Sequence, residues 1–298
     1  MAPDQSKQSF TIRKPAISRV PFVFNSPHSG RNYFPGFVAS SKLDAKTLRR
    51  SEDFKVDELF AGVVPLGAPL LSADFPRAWL DVNREPYELD RKMFTGKLPD
   101  FVNDKSARVI GGLGTIAKIV SETQHIYKDK LSVHEGLSRI KENYMPYHAA
   151  LRGLLAEAVV QFGHGVLVDC HSMPSSATSL SGRVQTKLRA DFVLGDRFGQ
   201  SCSPMITNYA AEFLRDLGYR VEINKPYAGG FITEHYGRPE NGLHAIQIEI
   251  NRALYMDENR IEKSSNFDQL AYDLSKFTAR LVSIPDSGLE ASIPLAAE

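Results

Sequence analysis

The chain is poor in cysteine. Cys170 and Cys202 are the only two, with no Cys-x-x-Cys spacing, which excludes a disulfide framework, a zinc knuckle and a dithiol redox pair. Cys170 sits inside an apolar run and reads as a buried thiol, leaving cysteine catalysis a minor possibility. Excess charge of either sign is also lacking: 36 basic and 35 acidic side chains leave a formal net charge of +1. Without a strong positive field, neither nucleic acid nor an anionic membrane surface is indicated as a partner. No apolar stretch reaches the length of a membrane span, and Met1 to Phe10 is polar with no apolar signal core. The expectation is a soluble, cytoplasmic protein whose oligomeric state the sequence does not fix.

What the chain does contain is an alternation of strand and helix signals. Apolar, β-branched runs at 20–25, 78–83, 166–171, 191–195, 219–224 and 244–250 predict strands. Apolar residues recurring every three or four positions predict helices over 52–61, 134–161, 203–217 and 266–282. That order predicts an α/β fold, a single-domain mixed sheet flanked by helices. The domain is expected over 19–283, after a mobile arm at 1–18 and before a tail at 284–298 with little to bury. Two segments break the pattern. The stretch 90–113 reads as a long loop over the surface or a site mouth. In 225–239, Gly229-Gly230 beside Tyr227 and His235 reads either as a close backbone approach or hinge, or as a tight turn with aromatic packing.

Three strand-like runs end in groups that can bind a metal or move a proton. Val20-Pro-Phe-Val-Phe-Asn-Ser-Pro-His28 delivers a histidine onto a loop, bracketed by Pro27 and Gly30. Val166-Leu-Val-Asp-Cys-His171 places Asp169 and His171 on one face, where the carboxylate can orient the imidazole; a buried pair serving structure alone is the other reading. Gln247-Ile-Glu-Ile-Asn251 turns Gln247, Glu249 and Asn251 to one side and Ile246, Ile248 and Ile250 to the core. A carboxylate fixed between isoleucines is a candidate general base, although a solvated edge strand would read the same way.

Two histidines in a zinc site call for a third, anionic ligand. Glu52 and Asp53, in the first turn of the 52–61 helix, and Asp57 one turn on are the candidates, against the ordinary preference of carboxylates for helix N-termini. The run 78–83 would present Asp81 and Asn83 on one face, with Arg84 at its end offering a guanidinium fork to a carboxylate or a plain surface ion pair.

Taken together, these segments resemble the N-formylglutamate amidohydrolase family. The resemblance is carried by Ser26-Pro-His-Ser-Gly30, Ser51-Glu-Asp53, Phe75-Pro-Arg-Ala78, Asp81-Val-Asn-Arg84, Asp169-Cys-His-Ser-Met-Pro174, Asp191-Phe-Val-Leu-Gly-Asp196, Pro226-Tyr-Ala-Gly-Gly230 and Gln247-Ile-Glu-Ile-Asn-Arg-Ala-Leu-Tyr-Met256, in order over roughly 20 to 260. That family is similar in turn to the zinc carboxypeptidases and the aspartoacylase and succinylglutamate desuccinylase group. The resemblance implies a zinc-carboxypeptidase-like fold that hydrolyses N-formyl-L-glutamate to formate and L-glutamate, the last step of a histidine degradation route. It also implies Zn2+, or another divalent ion, on His28, His171 and a carboxylate. The relatives carry a glutamate three residues after the first histidine, where this chain has Arg31, so the third ligand is transferred to Asp53, with Glu52 or Asp57 as substitutes. Glu249 is the implied proton carrier. Arg84 with Asn83 would take one substrate carboxylate, and Arg183, Arg252 and Tyr227 compete for the other. The alternatives are a related zinc-dependent deacylase or carboxypeptidase-like hydrolase acting on another N-acyl amino acid, and a non-catalytic ligand-binding homologue.

Overall fold

Alternation of apolar and polar residues along 166–171 and 244–250 gives one sheet two chemically different faces. The computed structural model describes residues 9–120, 124–178, 185–187, 190–285 and 289. Among these, the central sheet comprises β1 (Phe10–Arg13), β2 (Phe22–Ser26), β3 (Leu70–Ala73), β4 (Gly165–Met173), β5 (Phe192–Gly195), β6 (Val221–Ile223) and β7 (Leu243–Asn251). The strands are hydrogen-bonded in the order β1, β3, β2, β4, β7, β5, β6. The sheet is mixed: β2 and β7 run parallel to β4, β5 runs antiparallel to β7, and β6 runs parallel to β5. Register sets Asp169 opposite Gln247 and His171 opposite Glu249 on the neighbouring strands β4 and β7.

The chain divides into two compact units. One comprises Met1–Ile12, Pro27–Asp53 and Leu71–Leu151; the other comprises Arg13–Ser26, Phe54–Leu70 and Arg152–Glu298. In the first, Phe37, Leu48, Ala78, Ala117 and Ile126 form a small core against which Tyr33, Phe34 and Trp79 pack. Its helix α1 (Val133–Arg139) starts where the Ser132 hydroxyl accepts from the Glu135 N–H. The helix then passes through a π-helical turn, Ile140–Tyr144, into α2 (Met145–Phe162).

The second unit holds the main core. Val166, Val168 and Cys170 of β4, and Ile246, Ile248 and Ile250 of β7, pack with Ile206, Ala210 and Leu214 of α3 (Pro204–Asp216). Leu270, Leu274 and Phe277 of α5 (Phe267–Leu281) join them; a short helix, α4 (Phe231–Tyr236), lies between these two in sequence. With Pro204 at its first position and Ser203 as its cap, α3 begins where proline's fixed φ and missing N–H cost nothing. Since the apolar half of each central strand is used here, Asp169, His171, Gln247 and Glu249 belong to the opposite face, and all four are buried.

Several elements differ from the sequence reading. Residues 78–83 are not a strand. Turns anchored on Pro76 hold Trp79 and Leu80, and the Asp81 carboxylate accepts the Asn83 N–H at 2.8 Å, so a side chain takes the donor a ladder would need. The strands β1 and β3 are additional, β1 lying within the stretch read as an arm. The 52–61 helix contracts to Val56–Leu59, because Lys55 is left-handed at φ 55° and Asp53 N–H donates instead to the His28 carbonyl. In the expected tail, Ile284 and Leu289 are buried in the core and His244 Nε2 donates to the Leu289 carbonyl. Within 90–113 there are only short pieces, a turn at Arg91–Met93, a strand at Phe94–Thr95 and a helix at Ala107–Ile110.

Candidate metal centre and hydrolytic site

His28 sits just beyond β2, on the turn that Pro27 and Gly30 shape. A β-carbon on Gly30 would lie 1.9 Å from the Phe75 carbonyl oxygen, so only glycine lets the chain lie this close to Phe75. His28 Nε2 is hydrogen-bonded to Asp81 Oδ1 at 2.8 Å, and its Nδ1 lies 3.4 Å from Asp53 Oδ2. Burial by itself would raise the Asp81 carboxyl, but Arg84, Arg77 and the His28 imidazole outweigh it and hold Asp81 well below the usual carboxylate range. An ionised carboxylate only accepts, so the His28 proton belongs on Nε2 and Nδ1 is the ligand atom the ring would offer.

His171 repeats the arrangement on a strand. Its Nε2 meets Asp169 Oδ2 at 2.8 Å, and the Asn25 side-chain amide donates to Asp169 Oδ1 at 2.7 Å. Each histidine is thus oriented through Nε2 by a carboxylate that is itself held, the pattern that fixes tautomer and ring direction in histidine ligands of metals. His28, Asp53 and His171 are all buried, and one potential ligand atom from each lies within 4.8 Å of the others. Two imidazoles and a carboxylate suit a divalent metal of the zinc type and leave coordination positions for water and substrate.

The substitutes for Asp53 are engaged elsewhere. Arg49 donates to the Glu52 carboxylate at 2.9 and 3.2 Å, and Arg13 donates to Asp57 Oδ2 at 3.0 Å. Arg31 donates to the Ser29 carbonyl at 3.1 Å.

Asn83 and Arg84 are buried on irregular backbone that side chains hold from behind. Tyr144, at the end of the π-helical turn, donates to the Arg84 carbonyl at 2.6 Å, and His148 Nε2 bonds the Val82 carbonyl at 2.9 Å. The Arg84 guanidinium is also placed: Nε donates to the Leu113 carbonyl at 2.8 Å, Nη1 to the Asn83 carbonyl at 2.7 Å, and Nη2 lies 3.6 Å from Asp81. Burial draws its pKa down to about 10 against the pull of Asp81, which still leaves it cationic at neutral pH.

On β7, Gln247 Nε2 donates to Glu249 Oε1 at 2.8 Å. Asn251 is used structurally, donating to the Ala190 carbonyl at 2.9 Å and accepting from the Ala253 N–H at 3.1 Å. Arg252 follows the strand, with Nε 3.1 Å from Ser172 Oγ. Tyr227 packs on a small cluster of Met173, Ala190 and Val193. Arg183 lies outside the described residues. Cys170 points into the main core, where burial, with the Asp169 charge, pushes its thiol well above the usual range and leaves it no nucleophilic role.

Sequence reasoning missed four of these supports. The pairing of Asp81 with His28 spans 53 positions and has no local periodic signal. Asn25 belongs to an apolar strand, and Tyr144 and His148 sit on a helix whose pattern shows only its core face. The Asp169 and His171 pair, two residues apart on one strand, was the legible one.

Fold and site together define an α/β protein with a buried two-histidine, one-carboxylate group and a strand-borne glutamate. The N-formylglutamate amidohydrolase family model matches residues 20–256, and this chain belongs to that family. It is 31% identical over 244 residues to an N-formylglutamate deformylase of Pseudomonas aeruginosa, covering 80% of this chain and 84% of that protein. An N-formylglutamate deformylase of Pseudomonas putida is 28% identical, covering 80% and 83%. The crystal structure of N-formylglutamate amidohydrolase from Ralstonia eutropha JMP134 superposes with a TM-score of 0.87 at 36% identity, covering 93% of this chain and 98% of that one. A structure of an Agrobacterium tumefaciens gene product, at TM-score 0.64 and 18% identity, shares the fold.

Proposed function

We propose that this chain is a metal-dependent amidohydrolase that cleaves N-formyl-L-glutamate to formate and L-glutamate. The observation that carries this reading is the His28, Asp53 and His171 group, each histidine backed by its own aspartate, in a chain whose relatives are named for that deformylation. The donor set favours zinc over harder cations. When bound, the metal supplies Lewis acidity toward the formyl oxygen and acidifies a water toward neutral pH.

The protein's own groups do the rest. Glu249, rigid on β7 and in register with His171, takes the proton of the attacking water and returns it to the departing amine nitrogen. Arg84, with Asn83, receives one carboxylate of the substrate; its guanidinium is positioned beforehand, so little side-chain entropy is lost on binding. Arg252 and Tyr227 are the described candidates for the second carboxylate, and Arg183 is the third. Burial of His28, Asp53, Arg84, His171 and Glu249 keeps bulk water from these groups and strengthens each charge contact.

The test is formate release from N-formyl-L-glutamate, N-formyl-L-aspartate and N-acetyl-L-glutamate by purified, zinc-loaded protein. Release from the first, well ahead of the other two, supports the reading. Preference for the acetyl compound would place the chain among related deacylases, and no release from any would favour a ligand-binding role.

A further inference from the structure

The double glycine of 229–230 lies against the end of the sheet. Arg197 N–H donates to the Ala228 carbonyl at 2.8 Å, and a β-carbon on Gly195, at the end of β5, would lie 2.7 Å from the Ala228 carbonyl carbon and from Gly229 N. Gly230, the N-cap of α4, donates its N–H to Gln247 Oε1 at 2.7 Å, and Gln247 Nε2 donates onward to Glu249 Oε1 at 2.8 Å. A backbone N–H can only donate, so the amide oxygen of Gln247 must face Gly230 and its NH2 must face Glu249. The orientation of the amide is therefore set by the main chain, and Gln247, at 4% exposed, has no solvent to rotate into.

We propose that Gln247 is a positioning residue for the general base: held by the Gly230 N–H, it fixes the Glu249 carboxylate in the rotation from which it can take the water proton. The inference rests on the role given to Glu249 above. It also assigns the glycine loop a function, as a rigid backbone donor one bond removed from the base, in place of a lid. The Gly230 N–H thus bears on turnover without touching substrate.

The experiment is steady-state kinetics on N-formyl-L-glutamate with Gln247→Met, Gln247→Glu and wild-type zinc-loaded protein, together with bound-metal content and melting temperature. Methionine keeps the length and loses both hydrogen bonds; glutamate keeps the acceptor for Gly230 but sets a second carboxylate against Glu249. Loss of orientation predicts a fall in kcat of about 10- to 100-fold, larger for Gln247→Glu, with KM within about twofold of wild type. Metal content should be unchanged. In a Glu249→Gln background, Gln247→Met should cost no further activity, whereas a purely structural role would lower melting temperature equally in both backgrounds and leave kcat intact. If Gln247→Met does not fold, Gly230→Pro removes the donor at its source and should lower kcat in the same way. Unchanged kcat in a folded variant with active wild type overturns this inference alone; no formate release by wild type overturns it together with the proposed function.

Discussion

The same device is built twice in this molecule, once on loops and once on strands. In the unit containing 27–53 and 71–151, His28 is oriented by Asp81, 53 residues away, and both lie on irregular backbone. In the other unit, His171 is oriented by Asp169 two positions earlier on β4, and Glu249 stands beside it on β7. The strand-borne set inherits its geometry from ladder hydrogen bonds. The loop-borne set has to be tied down by side chains reaching to main chain: Asp81 to the Asn83 N–H, Tyr144 to the Arg84 carbonyl and His148 to the Val82 carbonyl. A residue such as Asp81 therefore has several duties, while Asp169 serves fewer, and substitutions should reveal that asymmetry.

The largest effect is expected at the strand-borne set. Glu249→Gln should lower kcat by about 10²- to 10⁴-fold, the usual span for a general base, with metal content retained. Loss of metal instead would make Glu249 a ligand. Next come the two orienting aspartates. Asp81→Asn and Asp169→Asn should each weaken metal binding by about 10- to 100-fold, measured by chelator competition. Asp81→Asn should in addition raise KM and lower the melting temperature, because Asp81 also pairs with Arg77 and Arg84 and accepts from the Asn83 N–H. Equal effects of the two substitutions on KM would break the comparison. Arg84→Ala should raise KM by about 10- to 100-fold, as fits the loss of a charged hydrogen-bonded contact of roughly 1.5–3 kcal/mol. Unchanged KM with collapsed kcat would remove the carboxylate-binding role.

The smallest effect concerns stability and pH. Burial pushes the His244 imidazole below its ordinary value, with His164 adding to it against the Leu289 hydrogen bond. The unfolded chain therefore takes up this proton more readily than the native one. The contribution of neutral His244 is complete above the unfolded pKa near 6.5 and is lost as pH falls through that value toward the lower native one. Melting temperature should drop between pH 7.5 and pH 5.5, by less in His244→Gln.

The difference between strand-borne and loop-borne groups also governs what is legible in the sequence. Period two grouped Asp169 with His171 and Gln247 with Glu249 on one strand face, because apolar residues alternate with them, although a solvated edge strand would read the same way. The helices 204–216 and 267–281 were equally plain, each burying one apolar stripe. At 78–83 the same reasoning fails. Ala78, Leu80 and Val82 are buried at alternate positions, but so are Asp81 and Asn83, because the backbone turns on side-chain hydrogen bonds that no periodicity encodes. The helix read from Glu52 fails at Lys55, whose left-handed backbone nothing in its residue type announces. The strand β3, Leu70–Ala73, has no β-branched residue and no apolar–polar alternation to mark it.

Catalysis by a metal held at His28, Asp53 and His171 is the central proposal for this chain. One preparation of purified protein, stripped by a chelator and then titrated with zinc while formate release from N-formyl-L-glutamate is followed, tests it most directly. Activity that vanishes on stripping and returns in proportion to zinc, saturating near one equivalent, is the predicted result, with His171→Ala unable to recover. Full formate release by protein shown to be free of metal would contradict it.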